Sequence, residues 1–429
     1  MRTIPLALCA ALALAASGLP RRGMLGVVVA PRGGDPAVVT SVLEGSAAAA
    51  AGFREGDVLL SLDGAPVTGA QPFTRAISRH LGGDTVRIGV RRAAGELVLS
   101  AILQPRPFET SPHADIRYET LEVQGARRRA IVARPHREGR MPAVLLMQGL
   151  GCYSIDNLPR QDGYGRVLDE FAQRGFVTMR VEKTGEGDSE GIDCSDPRAT
   201  PDLEAAGYLA ALHALKTYDY VDPARIFVFA HSMGPVVGSL AIAREPVAGF
   251  IAVETVGTTW FEYDLERLRV QADLSGKTPE EVSEEERKWQ VCSFRFYIEK
   301  QSPESLAGTP GCSDLTAPFG GAPYTYMQAV ADIDLAKNWR TADFPVLVIY
   351  GTASPVTTAH QNRYLAEMIN RMHPGRATYA EVPGMGHDLN RYRSQGEYEQ
   401  RNREQTTGDH PFHTGLLDVI FPWLQAQAQ

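Results

Sequence analysis

A serine flanked by small residues stands where an apolar run ends. The β-prone residues Ile226 to Phe229 lead into Ala-His-Ser-Met-Gly at 230–234, and apolar residues then recur at helical spacing. This pattern predicts a buried strand, a tight turn and a helix, with the Ser232 hydroxyl exposed above the helix N-terminus. A hydroxyl held in this way is suited to nucleophilic attack. A serine in an ordinary helix cap is the alternative for the pentapeptide alone.

A histidine near the C-terminus has the position expected of a general base. His387 follows the predicted strand 377–382 and a Pro-Gly-Met-Gly turn. It comes after Ser232 in the chain, which is the order that a serine nucleophile and its base show in one known arrangement on a sheet of parallel strands. A solvated loop histidine is the alternative when His387 is considered alone. Together with Ser232, it predicts proton transfer during nucleophilic catalysis.

A glycine-rich turn supplies candidate donors for a developing oxyanion. The predicted strand 143–147 ends in Gln-Gly-Leu-Gly-Cys at 148–152, where the backbone is free to approach a substrate closely. The N–H of Leu150 or Gly151, together with that of Met233, would form an oxyanion hole. A plain turn from strand to loop is the alternative.

Strands alternate with helices from residue 118 to the C-terminus, which predicts a doubly wound, mostly parallel α/β sheet. In such a sheet, functional groups collect at the carboxyl ends of the strands. The predicted strands are 118–123, 128–133, 143–147, 176–181, 226–230, 247–253, 346–350 and 377–382, and the predicted helices are 163–174, 202–217, the segment after Ser232, 359–372 and 414–424. The insertion at about 258–340 would form a helical cap over Ser232.

Composition limits the classes of partner. The chain has 429 residues and a net charge of −8, which argues against nucleic acid or an anionic membrane surface as the main partner. It contains no Walker loop, no His-Glu-x-x-His helix and no Cys-x-x-Cys pair, so the sequence predicts no metal site and no cofactor.

The first 18 residues predict a signal peptide. Arg2 precedes a short apolar core at 4–16, and small residues suited to cleavage follow. The core is too short for a stable membrane span, although an uncleaved anchor is the alternative. Four cysteines follow the predicted signal peptide: Cys152, Cys194, Cys292 and Cys312. Export to the periplasm or the medium would place them in an oxidising compartment.

Residues 23–104 predict a small domain of short strands around one helix at 72–81. Gly-Met-Leu-Gly-Val at 23–27, Gly-Ser-Ala at 45–47, Ala-Gly-Phe at 51–53 and Gly-Asp-Val-Leu-Leu-Ser-Leu-Asp-Gly at 56–64 carry its pattern. The domain resembles a PDZ domain of the permuted type found in bacterial periplasmic proteases. A polar, proline-containing linker is predicted at 105–117.

The PDZ resemblance implies binding of a peptide or protein C-terminus as an added strand beside residues 25–30. Backbone N–H groups of Met24, Leu25 and Gly26 would receive the terminal carboxylate. Phe73 and Ile77, on one face of the helix, would complete the groove. The equally weighted alternative is that these two side chains belong to the domain's own core.

The second region, predicted as domain 118–429, resembles the α/β-hydrolase superfamily, and in particular secreted bacterial hydrolases with an N-terminal PDZ module. The resemblance rests on Ala-His-Ser-Met-Gly at 230–234, on the loop 179–191 and on the segment 255–263 at the entry to the cap. It implies a Ser232–His387 pair completed by an acid. Relatives generally have an aspartate where this chain has Ser354.

A serine cannot offset the charge of an imidazolium, so the acid must come from elsewhere or the enzyme is impaired. Glu254, which follows the predicted strand 247–253, is the preferred substitute. Asp388 is a weaker candidate because it would have to fold back beside His387, and an absence of any effective acid is the third possibility.

The hydrolase resemblance also suggests a disulfide framework. The third and fourth strands are neighbours in this fold, so Cys152 and Cys194 would pair at their ends. Cys292 and Cys312 both lie in the cap and would pair there. A free, reactive Cys152 is the alternative.

The leading hypothesis is an exported serine hydrolase that cleaves a small-molecule ester, thioester or amide through an acyl-serine. A peptidase of the same fold is one alternative. A peptide-binding scaffold with a degenerate hydrolase domain, suggested by Ser354, is another.

Overall fold

The structure is a computed structural model that describes residues 18–29, 36–159, 162–312, 319–404 and 411–427. Apart from Gly18, the predicted signal peptide lies outside the described residues. The chain divides into two compact units between Arg106 and Pro107, within the segment predicted as a linker. Within the described ranges, no helix is both long and apolar enough to cross a membrane.

The described residues of the first unit form three small antiparallel sheets and two helices. The sheets pair β1 with β8, β2 with β3, and four strands in the order β5-β4-β6-β7. The elements are β1 (Gly23–Met24), β2 (Val27–Val29), β3 (Val39–Val42), α1 (Ala47–Ala51), β4 (Val58–Leu62), β5 (Ala65–Pro66), α2 (Ala70–Ile77), β6 (Thr85–Arg92), β7 (Gly95–Ile102) and β8 (Gln104–Pro105).

The short helix α1 differs from the sequence prediction of a single helix. The side chain of Ser46 caps its N-terminus by accepting a hydrogen bond from the N–H of Ala49. Gly52 ends the helix in the left-handed conformation, with φ of 82°. Five consecutive alanines carry no apolar periodicity, which explains why the pattern did not reveal this helix.

The second unit contains an eight-stranded sheet in the order β16-β15-β14-β13-β11-β12-β10-β9. Strands β11 to β16 are mutually parallel, whereas β9 and β10 form an antiparallel hairpin at one edge. The strands are β9 (Ala114–Val123), β10 (Ala126–Pro135), β11 (Met141–Met147), β12 (Val177–Val181), β13 (Val221–His231), β14 (Gly249–Val253), β15 (Val346–Gly351) and β16 (Ala377–Val382). The predicted α/β fold class is confirmed.

Helices cover both faces of this sheet because alternate residues of each strand are apolar on both sides. In β11, Leu145 packs in a core with α4, α5 and α11, while Val144 and Leu146 pack with α3 and α13. The helices outside the cap are α3 (Gly163–Gln173), α4 (Pro201–Thr217), α5 (Gly234–Ile242), α11 (Ala359–Met372), α12 (Gln395–Glu404) and α13 (Gly415–Ala426).

The insertion between β14 and β15 is helical. Its described residues form α6 (Trp260–Leu274), α7 (Pro279–Ser293), a π-helical turn (Phe294–Ile298), α8 (Pro303–Leu306), α9 (Tyr324–Val330) and α10 (Leu335–Trp339). Capping boxes formed by Thr259 with Glu262 and by Thr278 with Glu281 begin the two long helices. Most of the cap aromatics, including Tyr297 and Tyr326, are buried in the core shared with the sheet.

Two disulfide bonds join Cys152 to Cys194 and Cys292 to Cys312. This is the preferred pairing, and Cys152 is therefore not free. The first bond links loops that follow the neighbouring strands β11 and β12, and the second lies within the cap.

Candidate active site

The turn after β13 holds Ser232 in a strained conformation. Ser232 has φ of 59°, which a residue with a side chain rarely adopts. Its N–H donates to the carbonyl oxygen of Val253 at 2.9 Å, which fixes the turn to the end of β14. A Cβ added at Gly234 would lie 2.2 Å from the carbonyl oxygen of Met147, so the first turn of α5 requires glycine there. The fully buried Ala230 likewise explains a small residue before the turn.

The loop after β16 brings His387 against Ser232. The distance from His387 Nε2 to Ser232 Oγ is 2.9 Å, so the serine hydroxyl can donate its proton to this nitrogen. Gly384, with φ of 79°, forms the turn, and the N–H of Gly386 donates to the carbonyl oxygen of Asn390. The two residues are 155 positions apart in sequence.

A buried carboxylate faces the other nitrogen of His387. Glu254 is 0 % exposed, and its Oε2 lies 3.4 Å from His387 Nδ1. The N–H of Gly351 donates to Oε1, and the hydroxyl of Thr357 donates to Oε2 at 2.6 Å. These bonds satisfy a carboxylate that would be costly to bury without partners. The arrangement holds the imidazole by its Nδ1 and leaves Nε2 directed at Ser232.

The other two positions considered for the acid lie differently. The Asp388 carboxylate accepts hydrogen bonds from the backbone and side chain of Asn390 and from the Tyr392 hydroxyl. These contacts hold it in its own loop, and no contact to His387 is present among them. The Ser354 side chain is fully buried, and its hydroxyl has no hydrogen-bond partner among the described residues.

The backbone at 149–151 lies beside the nucleophile. A Cβ added at Gly149 would be 3.1 Å from the Ser232 Cβ, so the loop passes very close to the serine. Gly151 has φ of 136°, which favours glycine. Within the described part of the chain, the amides of Leu150, Gly151 and Met233 donate to no acceptor. They are therefore available to a substrate oxygen.

The sequence profile of the Alpha/beta hydrolase family matches residues 144–397, more than half of the chain. The chain belongs to this family. The PDZ domain profile matches residues 23–103, so the first unit is a PDZ domain. Both resemblances found in the sequence are confirmed. The two parts are called the PDZ unit and the hydrolase unit from here on.

Several solved structures resemble the chain at low identity. Est1E from Butyrivibrio proteoclasticus is 14% identical, with a TM-score of 0.41, over 68% of this chain and 99% of its own. An esterase from Pyrococcus furiosus is 15% identical, with a TM-score of 0.41, over 70% and 95%. Dipeptidyl peptidase 4 from Porphyromonas gingivalis is 16% identical, with a TM-score of 0.42, over 74% and 39%. A search of curated proteins finds no match.

Three further polar side chains of the hydrolase unit surround the serine turn and were not singled out in the sequence. The Tyr164 hydroxyl is 2.8 Å from His231 Nδ1, and the Gly149 N–H donates to the same hydroxyl at 2.9 Å. The Lys183 ammonium donates to the Gly149 carbonyl oxygen at 2.9 Å. His231 precedes the nucleophile directly, and this position was the signal that could have identified it.

Burial accounts for the protonation of His231 and Tyr164. Desolvation lowers the pKa of His231 well below its usual value, and the neighbouring His387 adds to this effect. Desolvation also raises the pKa of Tyr164 well above its usual value. His231 is therefore a neutral imidazole, and Tyr164 keeps its hydroxyl proton.

In the described part of the PDZ unit, one edge of β2 has no paired strand. Strand β2 pairs only with β3 among the described strands. The N–H groups of Leu25 and Gly26 have no acceptor in the described ranges, whereas Met24 lies in β1, which pairs with β8. A Cβ at Gly26 would lie 2.2 Å from the Ser46 Cβ, so glycine is needed for the approach of α1.

The two residues of α2 predicted for the peptide groove differ in burial. Phe73 is only 2 % exposed and packs in the core of the PDZ unit. Ile77 is half-buried at the edge of the same core. For Phe73, the structure therefore favours the core alternative over a groove contact.

Side chains of the metal-binding types converge at one point in the described residues. The two sulfur atoms of Cys152 and Cys194 and a carboxylate oxygen of Glu186 lie within 4.8 Å of one another. The two sulfur atoms are already joined in a disulfide bond, so they do not provide thiolates. This group does not fit a metal ion.

Proposed function

We propose that this chain is a serine hydrolase that cleaves a carboxylic ester, thioester or amide of a small molecule through an acyl-serine intermediate. The observation that carries the proposal is the continuous contact from Ser232 Oγ through His387 to the buried Glu254 carboxylate. The acid lies one strand earlier than in the relatives implied by the sequence, but it contacts the correct imidazole nitrogen. This contact argues against a degenerate scaffold.

In the proposed reaction, Ser232 Oγ attacks the carbonyl carbon while His387 Nε2 accepts the hydroxyl proton. The N–H of Leu150 or Gly151 and that of Met233 stabilise the resulting oxyanion. His387 then protonates the leaving alcohol, thiol or amine, which leaves the acyl group on Ser232. Water then attacks the acyl carbon while His387 Nε2 accepts its proton. The bond from that carbon to Ser232 Oγ breaks, and His387 returns the proton to Oγ, which releases the carboxylic acid and restores the serine. Glu254 orients the imidazole and stabilises its positive charge.

We further propose export and a peptide-binding role for the PDZ unit. The two disulfide bonds of the hydrolase unit support folding in an oxidising compartment. Among the described residues, one edge of β2 has no paired strand and the amides of Leu25 and Gly26 have no acceptor, which supports addition of a peptide strand with a terminal carboxylate. A peptidase of the same fold is the second candidate function, since this unit could present a peptide.

A fluorophosphonate probe tests the hydrolase proposal because it reacts with an activated serine. We expect labelling of the wild-type chain and its loss in Ser232→Ala. Ser354→Ala is the matched control and should label normally, since it removes a buried hydroxyl that has no hydrogen-bond partner among the described residues. An unlabelled but folded wild-type protein would refute the proposal. Comparing nitrophenyl esters with peptide anilides then separates esterase from peptidase activity.

A further inference from the structure

One chain of hydrogen bonds links the base loop to the loop beside the nucleophile. His231 Nε2 is 2.8 Å from the backbone oxygen of His387, and His231 Nδ1 is 2.8 Å from the Tyr164 hydroxyl. The Gly149 N–H donates to that hydroxyl at 2.9 Å. His231 is the last residue of β13, so the chain is anchored directly next to Ser232.

The direction of every bond follows from its partners. A carbonyl oxygen can only accept, so His231 carries its proton on Nε2. Its Nδ1 must then accept, and the Tyr164 hydroxyl donates to it. The tyrosine oxygen retains a lone pair for the Gly149 N–H. All three side-chain polar atoms are therefore satisfied without any charge.

The Gly149 peptide group is held from its carbonyl side as well. Lys183 donates to the Gly149 oxygen at 2.9 Å and forms an ion pair with Glu204 at 3.2 Å. Both residues are buried, so this contact does not exchange readily with water. The candidate oxyanion amides begin one residue later, at Leu150.

We propose that His231 and Tyr164 are positioning residues. They hold the backbone of residues 149–151 and the His387 loop in the positions that catalysis by Ser232 requires. Among the described residues, neither side chain forms a hydrogen bond to Ser232 Oγ, and each acts through backbone groups. The inference rests on the proposed serine hydrolase function. Its physical basis is that small displacements of groups around a reacting centre are costly to the rate.

Tyr164→Phe tests the proposal because it removes one hydroxyl and retains the ring. We expect kcat for a nitrophenyl ester to fall about 10- to 100-fold with KM nearly unchanged, since the transition state alone needs the oxyanion amides. Tyr220→Phe is the matched control, because its buried hydroxyl has no hydrogen-bond partner in the part of the chain that the structure describes. A wild-type kcat in Tyr164→Phe, or a change in KM alone, would overturn the proposal.

A measurement independent of turnover separates this inference from the hydrolase proposal. In nitrogen-15 spectra of the full-length protein, His231 should appear as a neutral Nε2–H tautomer at pH 6 and above. The Nδ1 signal should shift in Tyr164→Phe and stay unchanged in Tyr220→Phe. A charged His231 ring or an Nδ1–H tautomer would refute the proposed chain of hydrogen bonds, even if the enzyme is active. A folded wild-type protein that the fluorophosphonate probe does not label would instead refute the hydrolase function.

Discussion

At the scale of single residues, the main feature of the site is that the proposed acid, Glu254, follows β14, whereas the family resemblance implied an acid after β15. Strands β14 and β15 are adjacent and parallel, so the residue after either strand lies at the same edge of the sheet. Glu254 follows β14 and contacts His387, whereas Ser354 follows β15 and does not. Glutamate has a longer side chain than aspartate, and β14 lies next to β13, the strand that leads to Ser232. A glutamate after β14 can therefore contact the same imidazole.

Our first prediction concerns this acid. Glu254→Gln should lower kcat for an ester by about 10⁴-fold, because the imidazole loses the carboxylate that sets its tautomer and offsets its charge. Asp388→Asn is the matched control and should retain most activity, since Asp388 bonds within its own loop. Steady-state kinetics of purified variants measures both. Full turnover in Glu254→Gln would assign the role to another group.

A second prediction concerns pH and stability. Burial raises the pKa of Glu182 from 4.5 to about 7, against bonds from Ser154 and the Ile155 amide that lower it. The folded state thus favours the protonated carboxyl, and this stabilisation is complete below pH 4.5 and is lost as the pH rises through 7. Glu182→Gln should remove that dependence.

The expected size of this effect follows from the shift. The free energy of unfolding of Glu182→Gln minus that of the wild type should be about 3 kcal/mol larger at pH 8 than at pH 4. Denaturant unfolding of the oxidised protein at both pH values measures the change. Glu280→Gln, at an exposed position in α7, should shift by less than about 0.5 kcal/mol. Equal pH dependence in Glu182→Gln and wild type would contradict the prediction.

At the scale of elements, the contact between α5 and β11 decides where the nucleophile stands. The third prediction is that Gly234→Ala lowers the free energy of unfolding by about 2 kcal/mol or more, and reduces kcat, because the new Cβ meets backbone rather than a movable side chain. Gly308→Ala in the cap meets no atom within 4 Å and should be nearly neutral. Normal stability and turnover in Gly234→Ala would show that the turn can relax.

The sequence pattern predicted some helices and strands with their bounds and did not predict others. Helix α11 has the predicted bounds because its buried residues recur at helical spacing, and strand β16 also has the predicted bounds. Helix α12 has no buried residue, so it carries no apolar pattern and was not predicted. Its contacts with α6 depend on the tertiary structure.

At the scale of the whole molecule, the disulfide bonds connect the proposed compartment to stability. The fourth prediction is that replacing Cys292 and Cys312 by serine lowers the free energy of unfolding by about 2–4 kcal/mol, because the unfolded chain regains the freedom of a loop closed over 20 residues. Denaturant unfolding of the variant and the oxidised parent measures this cost. An unchanged stability would remove this support for export.

The fifth prediction concerns the PDZ unit. A peptide with a free carboxylate should bind the full-length protein at least about tenfold more tightly than its amidated form, because the amides at residues 25 and 26 would lose a charged acceptor. Fluorescence polarisation with labelled peptide pairs measures the ratio. Leu43→Ala, at an exposed position between β3 and α1, serves as a control that should keep the preference. Equal binding of both forms would argue against carboxylate recognition.

The sequence by itself determined the α/β class, the PDZ unit and the order of Ser232 and His387, because these depend on local periodicity and short motifs. The tertiary structure decided which carboxylate faces His387, that Phe73 packs in a core, and that His231 and Tyr164 join two loops. Glu254 and His387 are 133 residues apart, and the bonds around Tyr164 span 15 and 67 residues. No periodicity in a linear sequence reports such pairs, because the packing of strands and loops alone brings them together.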